Sequence, residues 1–300
     1  METIIKTYNR ALLCDFEYFE PVNISEAVSL LQKYGDDAKL IAGGTDLLVD
    51  IKEEKIKPKV LVSIMKIPDL KCIVEDGTEL RIGAATTLAE IEESRVIREN
   101  YGLICEAAKE LGTVQVRNMA TIGGNICNAV PSADLPPALV ALDAQLKIVG
   151  ANGERILPLE EFFVGVRKTK LKNELLKEIV VGRPPERSGT AFIKLARTSE
   201  DLAIVNAAVR VTLNKDGICE EARVVVGGGI GPTLLRSREA EKMLEGRKLD
   251  GEVIGKAAEI CGQGFQCRSK SIRASPEYKI EVGKVLVKRA LLKALERVGG

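Results

Sequence analysis

The chain has 300 residues, with 44 Lys and Arg against 43 Asp and Glu, a net charge of +1 and no histidine. That length suits two domains, each able to bury a core of its own. The charge balance, without a basic run interleaved with aromatics, argues against a nucleic-acid binder, and the missing histidine removes His-based acid–base catalysis, His triads and His-ligated metals. No apolar run approaches the roughly 18 residues that a membrane span needs. Met1-Glu-Thr-Ile-Ile-Lys6 lacks the basic-then-apolar shape of a secretory signal, so a cytoplasmic protein is expected. Seven cysteines, at 14, 72, 105, 127, 219, 261 and 267, contain no Cys-x-x-Cys. They read as buried thiols rather than as a zinc or iron–sulfur site.

In chain order, residues 1–15 form an N-terminal extension of unassigned role. Asn23-Ile-Ser-Glu26 reads as a capping box opening an amphipathic helix with Ala27, Leu30 and Leu31 on its apolar face and Gly35 past its end. Ala38–Ala42 is a short strand. Val60–Met65 and Glu79–Ala84 are strand-like, and Thr87-Leu-Ala-Glu90 offers a second capping box. Helices are expected over Leu103–Leu111 and Leu135–Leu142, the latter with Ser132 or Asp134 near its cap and Pro136 and Pro137 in its first turn. Gln145–Val149 alternates as a strand. The Pro, Gly and charge of Val181–Gly189 mark a boundary between a domain at 16–183 and one at 190–300. Beyond it come strands at Ala191–Ala196, Ile204–Leu213 and Ala222–Val226, with Lys215-Asp-Gly217 turning between the last two, then helices ending with Tyr278–Val298.

Two stretches carry the chemistry: Lys39-Leu-Ile-Ala-Gly-Gly-Thr-Asp-Leu-Leu48 and Ala120-Thr-Ile-Gly-Gly-Asn-Ile-Cys-Asn-Ala129. In each, an apolar run reaches Gly-Gly and then a short polar side chain, as where a strand or buried segment hands over to a tight turn. Paired glycines let backbone N–H groups approach a ligand without a Cβ in the way. Either pair alone reads as a plain turn; two together suit a diphosphate held between them. A third glycine cluster, Val224-Val-Val-Gly-Gly-Gly-Ile-Gly-Pro232, imitates a dinucleotide fingerprint but lacks its last glycine at Leu234. Pro232 also breaks the turn-to-helix register, and Glu245 falls in a helical stretch instead of at a strand end.

Ala42-Gly-Gly-Thr-Asp46, Thr121-Ile-Gly-Gly-Asn125, Ser132-Ala-Asp-Leu135, and Phe192-Ile-Lys-Leu-Ala-Arg197 leading into Asp201-Leu-Ala-Ile-Val-Asn206 occur in this order. The chain thereby resembles, from about Phe16 onward, the FAD-binding subunit of the molybdenum hydroxylases, the xanthine dehydrogenase and carbon monoxide dehydrogenase family. The resemblance implies an α+β fold: a two-part FAD-binding domain of the vanillyl-alcohol-oxidase type, then a small domain of an antiparallel sheet plus helices. It implies FAD bound here without a covalent link. Molybdopterin and iron–sulfur clusters would lie in a large and a small partner subunit, forming a dimer of heterotrimers. Electrons would pass from the clusters through FAD to NAD or another carrier. A xanthine-like N-heterocycle is the expected substrate of the complex, with carbon monoxide or an aldehyde as the alternative. No residue of this chain is assigned as catalytic or as a metal ligand.

Carried over by motif, the resemblance makes Leu40, Ile41, Ala42, Gly43, Gly44, Thr45, Asp46 and Leu47 one wall of the diphosphate site. Thr121, Ile122, Gly123, Gly124 and Asn125 make the other. Asp134 matches a carboxylate that accepts from cofactor hydroxyls, and Leu171 and Lys194 match later contacts. From the residues alone, Lys194 reads equally as a strand lysine in water. Arg117 and Asn118 read either as solvated loop residues or as flavin-placing ones. Leu111 stands where some relatives have an aromatic, and the basic run Lys284, Lys288, Arg289, Lys293 and Arg297 reads as a solvated face. Two further readings stay open: a stand-alone flavin oxidase or reductase, disfavoured by the missing histidine, and a flavin-free assembly protein, disfavoured by the intact glycine pairs.

Overall fold

The first sheet of the computed structural model, which describes residues 15–269, 271 and 273–298, is small and parallel. Strands β1 (Glu17–Phe19), β2 (Ala38–Ile41) and β3 (Val60–Ser63) lie in the order β1-β3-β2. Most of the N-terminal extension, residues 1–14, falls outside the described residues. Helix α1 (Ile24–Tyr34) covers the sheet with Ala27, Val28 and Leu31. Asn23 accepts from the N–H of Glu26 at 2.9 Å, but the Glu26 carboxylate reaches back to Val22, one residue beyond a standard capping box. The second box is complete: Thr87 and Glu90 satisfy each other's backbone at the start of a later helix.

A five-stranded antiparallel sheet follows, ordered β4-β5-β10-β6-β7 from β4 (Ile73–Glu75), β5 (Glu79–Gly83), β6 (Gln145–Gly150), β7 (Gly153–Pro158) and β10 (Leu175–Gly182). A small hairpin of β8 (Phe163–Gly165) and β9 (Lys168–Thr169) precedes β10. Between β5 and β6 the chain makes six helices after α2 (Leu47–Lys52): α3 (Leu88–Glu93), α4 (Arg95–Asn100), α5 (Gly102–Lys109), α6 (Val114–Met119), α7 (Ile122–Asn128) and α8 (Leu135–Ala141). Every residue of α8 is buried.

The last sheet is antiparallel and four-stranded: β11 (Ser188–Leu195), β12 (Val205–Leu213), β13 (Cys219–Gly227) and β14 (Leu235–Arg236). Helices α9 (Arg238–Leu244), α10 (Gly251–Gln263) and α11 (Pro276–Glu296) pack on one face. Because β12 is buried almost throughout, both faces of this sheet are covered. Phe192, Ala208 and Val225 join the core of the preceding part, against α8. The helices on the opposite face share a second core with Ala207, Val209 and Val224.

Charges fasten the same interface. Arg210 donates to Asp143 at 2.8 Å and Glu221 at 2.7 Å, and Arg223 donates to Asp143 at 2.9 Å. Arg236 adds Glu160 at 3.1 Å and Glu241 at 2.9 Å. The C-terminal basic run is only partly a free solvated face: Lys284 pairs with Glu259 and Glu281, while Arg297 bonds Glu106 and the Thr190 carbonyl.

Candidate functional site

A cleft of about 900 Å³ opens where the three parts meet. Its first wall is the loop leaving β2. Strand β2 ends at Ile41, whose carbonyl accepts from Ile64, and residues 42–46 then cross to α2. A Cβ on Gly43 would sit 1.8 Å from the Met119 carbonyl oxygen, so only glycine lets this loop lie on the backbone before the second Gly-Gly stretch. Gly44 has φ +71°, the left-handed conformation that favours glycine. Among the described residues, the N–H groups of Gly43, Gly44, Thr45 and Asp46 donate to nothing in the chain, and all four residues line the cleft. Four consecutive free donors suit an anion with several oxygens.

The second stretch has a different geometry from the tight turn expected. Ala120 ends helix α6, and Gly123 and Gly124 lie inside α7. Thr121 caps that helix by accepting from Gly124 at 3.1 Å, while Ile122 and Gly123 donate to the Thr86 and Ala84 carbonyls at 3.0 and 2.9 Å. The short capped helix prevails because Thr121 supplies an N-cap oxygen, which outweighs the weak helix propensity of two glycines. Its first donors are therefore spent. Gly123 is needed for contact with the β5 end, since a Cβ there would lie 2.6 Å from the Ala84 carbonyl oxygen. Gly124, Thr121 and Asn125 face the cleft, and Asn125 Oδ1 is buried there without a partner. Such an orphan acceptor is costly unless a ligand donor meets it.

Asp46 and Asp50 stand one turn apart across the start of α2. Arg167, from the β8–β9 hairpin, pairs with Asp50, and Lys55 lies 3.6 Å from it. Burial pushes the Asp46 carboxyl above its ordinary value; Arg167 opposes this and the charge of Asp50 adds to it. Neither Asp50 nor Arg167 was singled out from sequence; the four-residue spacing of Asp46 and Asp50 is the one signal that could have marked a shared face.

The opposite wall is made of side chains. Lys194 reaches Asp134 at 2.9 Å, and both side chains are only 2% exposed. Lys194 also donates to the Glu110 carbonyl at 2.6 Å, and Asn206 donates to Asp134 at 2.9 Å and to the Ala133 carbonyl at 3.1 Å. Lys194 is therefore not a strand lysine in water. Asp134 holds the N-cap position of α8, as expected, but its side chain makes no capping hydrogen bond. Burial raises its carboxyl, and Lys194 and Asn206 counter that by favouring the ionised form. One lone pair on each oxygen stays free for a cofactor hydroxyl.

Leu40, Ile41, Ala42, Leu47 and Leu111 complete the near lining, whereas Ile122, Gly123 and Leu171 lie outside it. Ile122 is fully buried in the core and Leu171 packs against that core. Arg117 is neither solvated nor in the cleft: it bonds Glu92 at 2.9 Å and the Gly112 carbonyl at 2.9 Å, bracing α6. The third glycine cluster ends antiparallel strand β13, and no helix starts before Arg238, which removes a dinucleotide turn there. Glu245 is the first residue past α9.

Two family models match the chain: the FAD binding domain in molybdopterin dehydrogenase over residues 14–184, and the CO dehydrogenase flavoprotein C-terminal domain over residues 190–294. The chain belongs to this flavoprotein family. It is the FAD subunit of a molybdenum-hydroxylase-type complex. It is 37% identical to subunit alpha of the 6-hydroxypseudooxynicotine dehydrogenase complex of Paenarthrobacter nicotinovorans, over 94% of this chain and 95% of that one. It is 32% identical to the xanthine dehydrogenase FAD-binding subunit of Escherichia coli O157:H7, over 94% and 97%. A solved carbon monoxide dehydrogenase of Hydrogenophaga pseudoflava, which lacks the Mo-pyranopterin moiety, superposes with a TM-score of 0.92 at 35% identity, covering 95% of this chain and 98% of that one. The local chemistry fits FAD: free N–H donors for a diphosphate, an orphaned amide oxygen for a donor, and a Gly43 that lets the donor loop lie against the Met119 backbone. No helix among the described residues is long and apolar enough to cross a membrane.

Proposed function

We propose that FAD lies in this cleft with its diphosphate on the N–H groups of Gly43, Gly44, Thr45 and Asp46. Asn125 and Asp134 take the neighbouring hydroxyl and amide groups, Gly124 leaves room beside them, and Lys194 favours the ionised form of Asp134. The run of four unpartnered donors is the observation that carries this reading. FAD supplies the redox chemistry; this chain binds it, orients it and screens its charges. Ile122, Gly123 and Leu171 act one layer back, by packing. The cofactor unit spans 16–183, closed by residues 190–300.

Within the complex the flavin receives electrons from iron–sulfur clusters in a small subunit and passes them to NAD or another carrier, in a dimer of heterotrimers in the cytoplasm. A large subunit with the molybdenum cofactor selects the substrate. An N-heterocycle is favoured by the names of three relatives, which act on 6-hydroxypseudooxynicotine, nicotinate and xanthine. Carbon monoxide is the second reading, favoured by the match at 35% identity to the medium chain of carbon monoxide dehydrogenase. A flavin-free assembly role would leave the loop donors and Asn125 without a partner. Attachment is non-covalent: burial pushes the cleft thiol Cys127 up to about 12, so it stays a protonated, poor nucleophile.

The test is the purified chain and its Gly44→Val variant. The wild type should be yellow, and acid precipitation should leave the colour in the supernatant. The variant, with a branched side chain forced to positive φ, should be colourless yet folded. Colour on the pellet, or full flavin in the variant, overturns the placement. Copurification from the host of a molybdenum-containing large chain and an iron–sulfur chain tests the partners.

A further inference from the structure

The far end of the cleft holds a cluster that the FAD reading does not use. Lys279, on the first turn of α11, is 5% exposed and lines the cleft. Its Nζ makes one long hydrogen bond, 3.4 Å to the Gly228 carbonyl, which leaves two donors free. Among the described residues no carboxylate lies within ion-pair distance of Lys279, of Arg268 or of Arg273. Arg268 and Arg273 also line the cleft, and Arg268 is exposed while Arg273 is half-buried. Asp201, an acidic group of the same lining, is already engaged by Arg197 at 3.0 Å. Burial lowers the Lys279 ammonium, and the charges of Arg273 and Arg268 lower it further. A buried cation with two cations beside it and no anion is unfavourable unless an anion arrives.

We propose that Lys279, Arg273 and Arg268 form a second anion-binding subsite in this cleft, which takes the phosphate of an exchangeable ligand while FAD is in place. FAD carries one diphosphate, and the donors of Gly43–Asp46 account for it. The cluster also grades from exposed Arg268 through Arg273 to buried Lys279, a charge gradient that draws an anion in from solvent. A resident cofactor needs no such path; an electron acceptor that enters and leaves does. The inference rests on the FAD placement above and deepens it to the acceptor class, a phosphate-bearing soluble molecule.

ADP-ribose, which carries a diphosphate and accepts no hydride, is the probe, titrated into the FAD-loaded chain by calorimetry at low salt. Wild type should bind it with flavin retained. Lys279→Met and Arg273→Gln should each weaken binding about tenfold or more, roughly one lost charged hydrogen bond, at unchanged flavin content, and Lys279→Arg should restore most of it. Arg273→Gln, at a half-buried position, keeps the test alive if Lys279→Met fails to fold. No ADP-ribose binding by loaded wild type, wild-type binding in both variants, or loss of FAD from them would overturn the subsite; the last would assign the cluster to FAD. A wild-type chain that holds no FAD sinks the flavin placement instead, and the dependence on Lys279 can still be read in the flavin-free chain.

Discussion

The two walls of the cleft use opposite means. One is backbone: the Gly43–Asp46 loop lies on the Met119 carbonyl and turns free N–H groups inward. The other is side chain: Lys194 and Asn206, on paired strands of the last sheet, meet Asp134 at the start of α8, and the three largely satisfy one another. The first wall is an open set of donors waiting for a ligand. The second is a closed network that holds the parts of the chain together and has only lone pairs to spare. Substitutions should therefore separate binding from stability according to the wall they strike.

The largest effect is expected from Asp134→Ala. It strands a buried Lys194, and breaking such a pair costs about 3–5 kcal/mol. Denaturant unfolding should show the loss, with FAD affinity falling as a consequence, and adding Lys194→Met should recover part of it. Unchanged stability with weakened FAD would make Asp134 a ligand group only and erase the contrast between walls.

Gly43→Ala comes next, since its Cβ must displace a carbonyl at 1.8 Å. Overpacking of this kind costs about 1–3 kcal/mol, and the parted loops should lose flavin; normal flavin content in this variant contradicts the loop contact. Gly124→Ala sharpens the comparison from the other side. Its Cβ would meet only Thr121 Oγ1, at 3.0 Å, and alanine gains about 0.5–1 kcal/mol over glycine within a helix. Stability should hold or rise while FAD binds more weakly, a split read by unfolding and flavin titration on one sample.

A control lies outside both walls. Asp76, which accepts from Thr78 and the Glu79 N–H, has its carboxyl lowered to about 2. A depressed value means stabilisation present above the unfolded pKa and lost as pH falls through the folded one. The small deficit of Asp76→Ala should therefore persist above about pH 4 and fade on acidification toward 2, with FAD binding untouched throughout.

Sequence made the first wall legible because it is contiguous: strand, Gly-Gly, Thr and Asp follow one another between Ala38 and Asp46. Several strands and helices followed from periodicity and caps, as at Thr87 and Glu90, but β10, the middle strand of the five-stranded sheet, and helices α2, α4, α6 and α7 were not read from the sequence. The second glycine pair misled, because an N-capping Thr121 and the carbonyls of Thr86 and Ala84 turn a turn-like string into a helix start. Partners from distant segments left no local trace: Arg167 with Asp50, Asn206 with Asp134, and Lys279 with the Gly228 carbonyl. Lys194 was ambiguous for the same reason, since its burial depends on the Glu110 carbonyl and Asp134, which other parts of the chain supply.

With FAD placed as proposed, the contact between Gly43 and Met119 also bears on how the cofactor gets in. Two backbones that touch atom to atom behave as one rigid jamb, and a bulky dinucleotide cannot prise them apart without breaking the site that is to receive it. The doorway is then the opposite bank, where Leu202 is 44% exposed and Arg268 and Arg273 flank the opening. A chain that docked beside that bank would narrow the door to FAD while leaving the Arg268 side open to a smaller ligand. On the placement proposed above, flavin loading is then easiest before such docking.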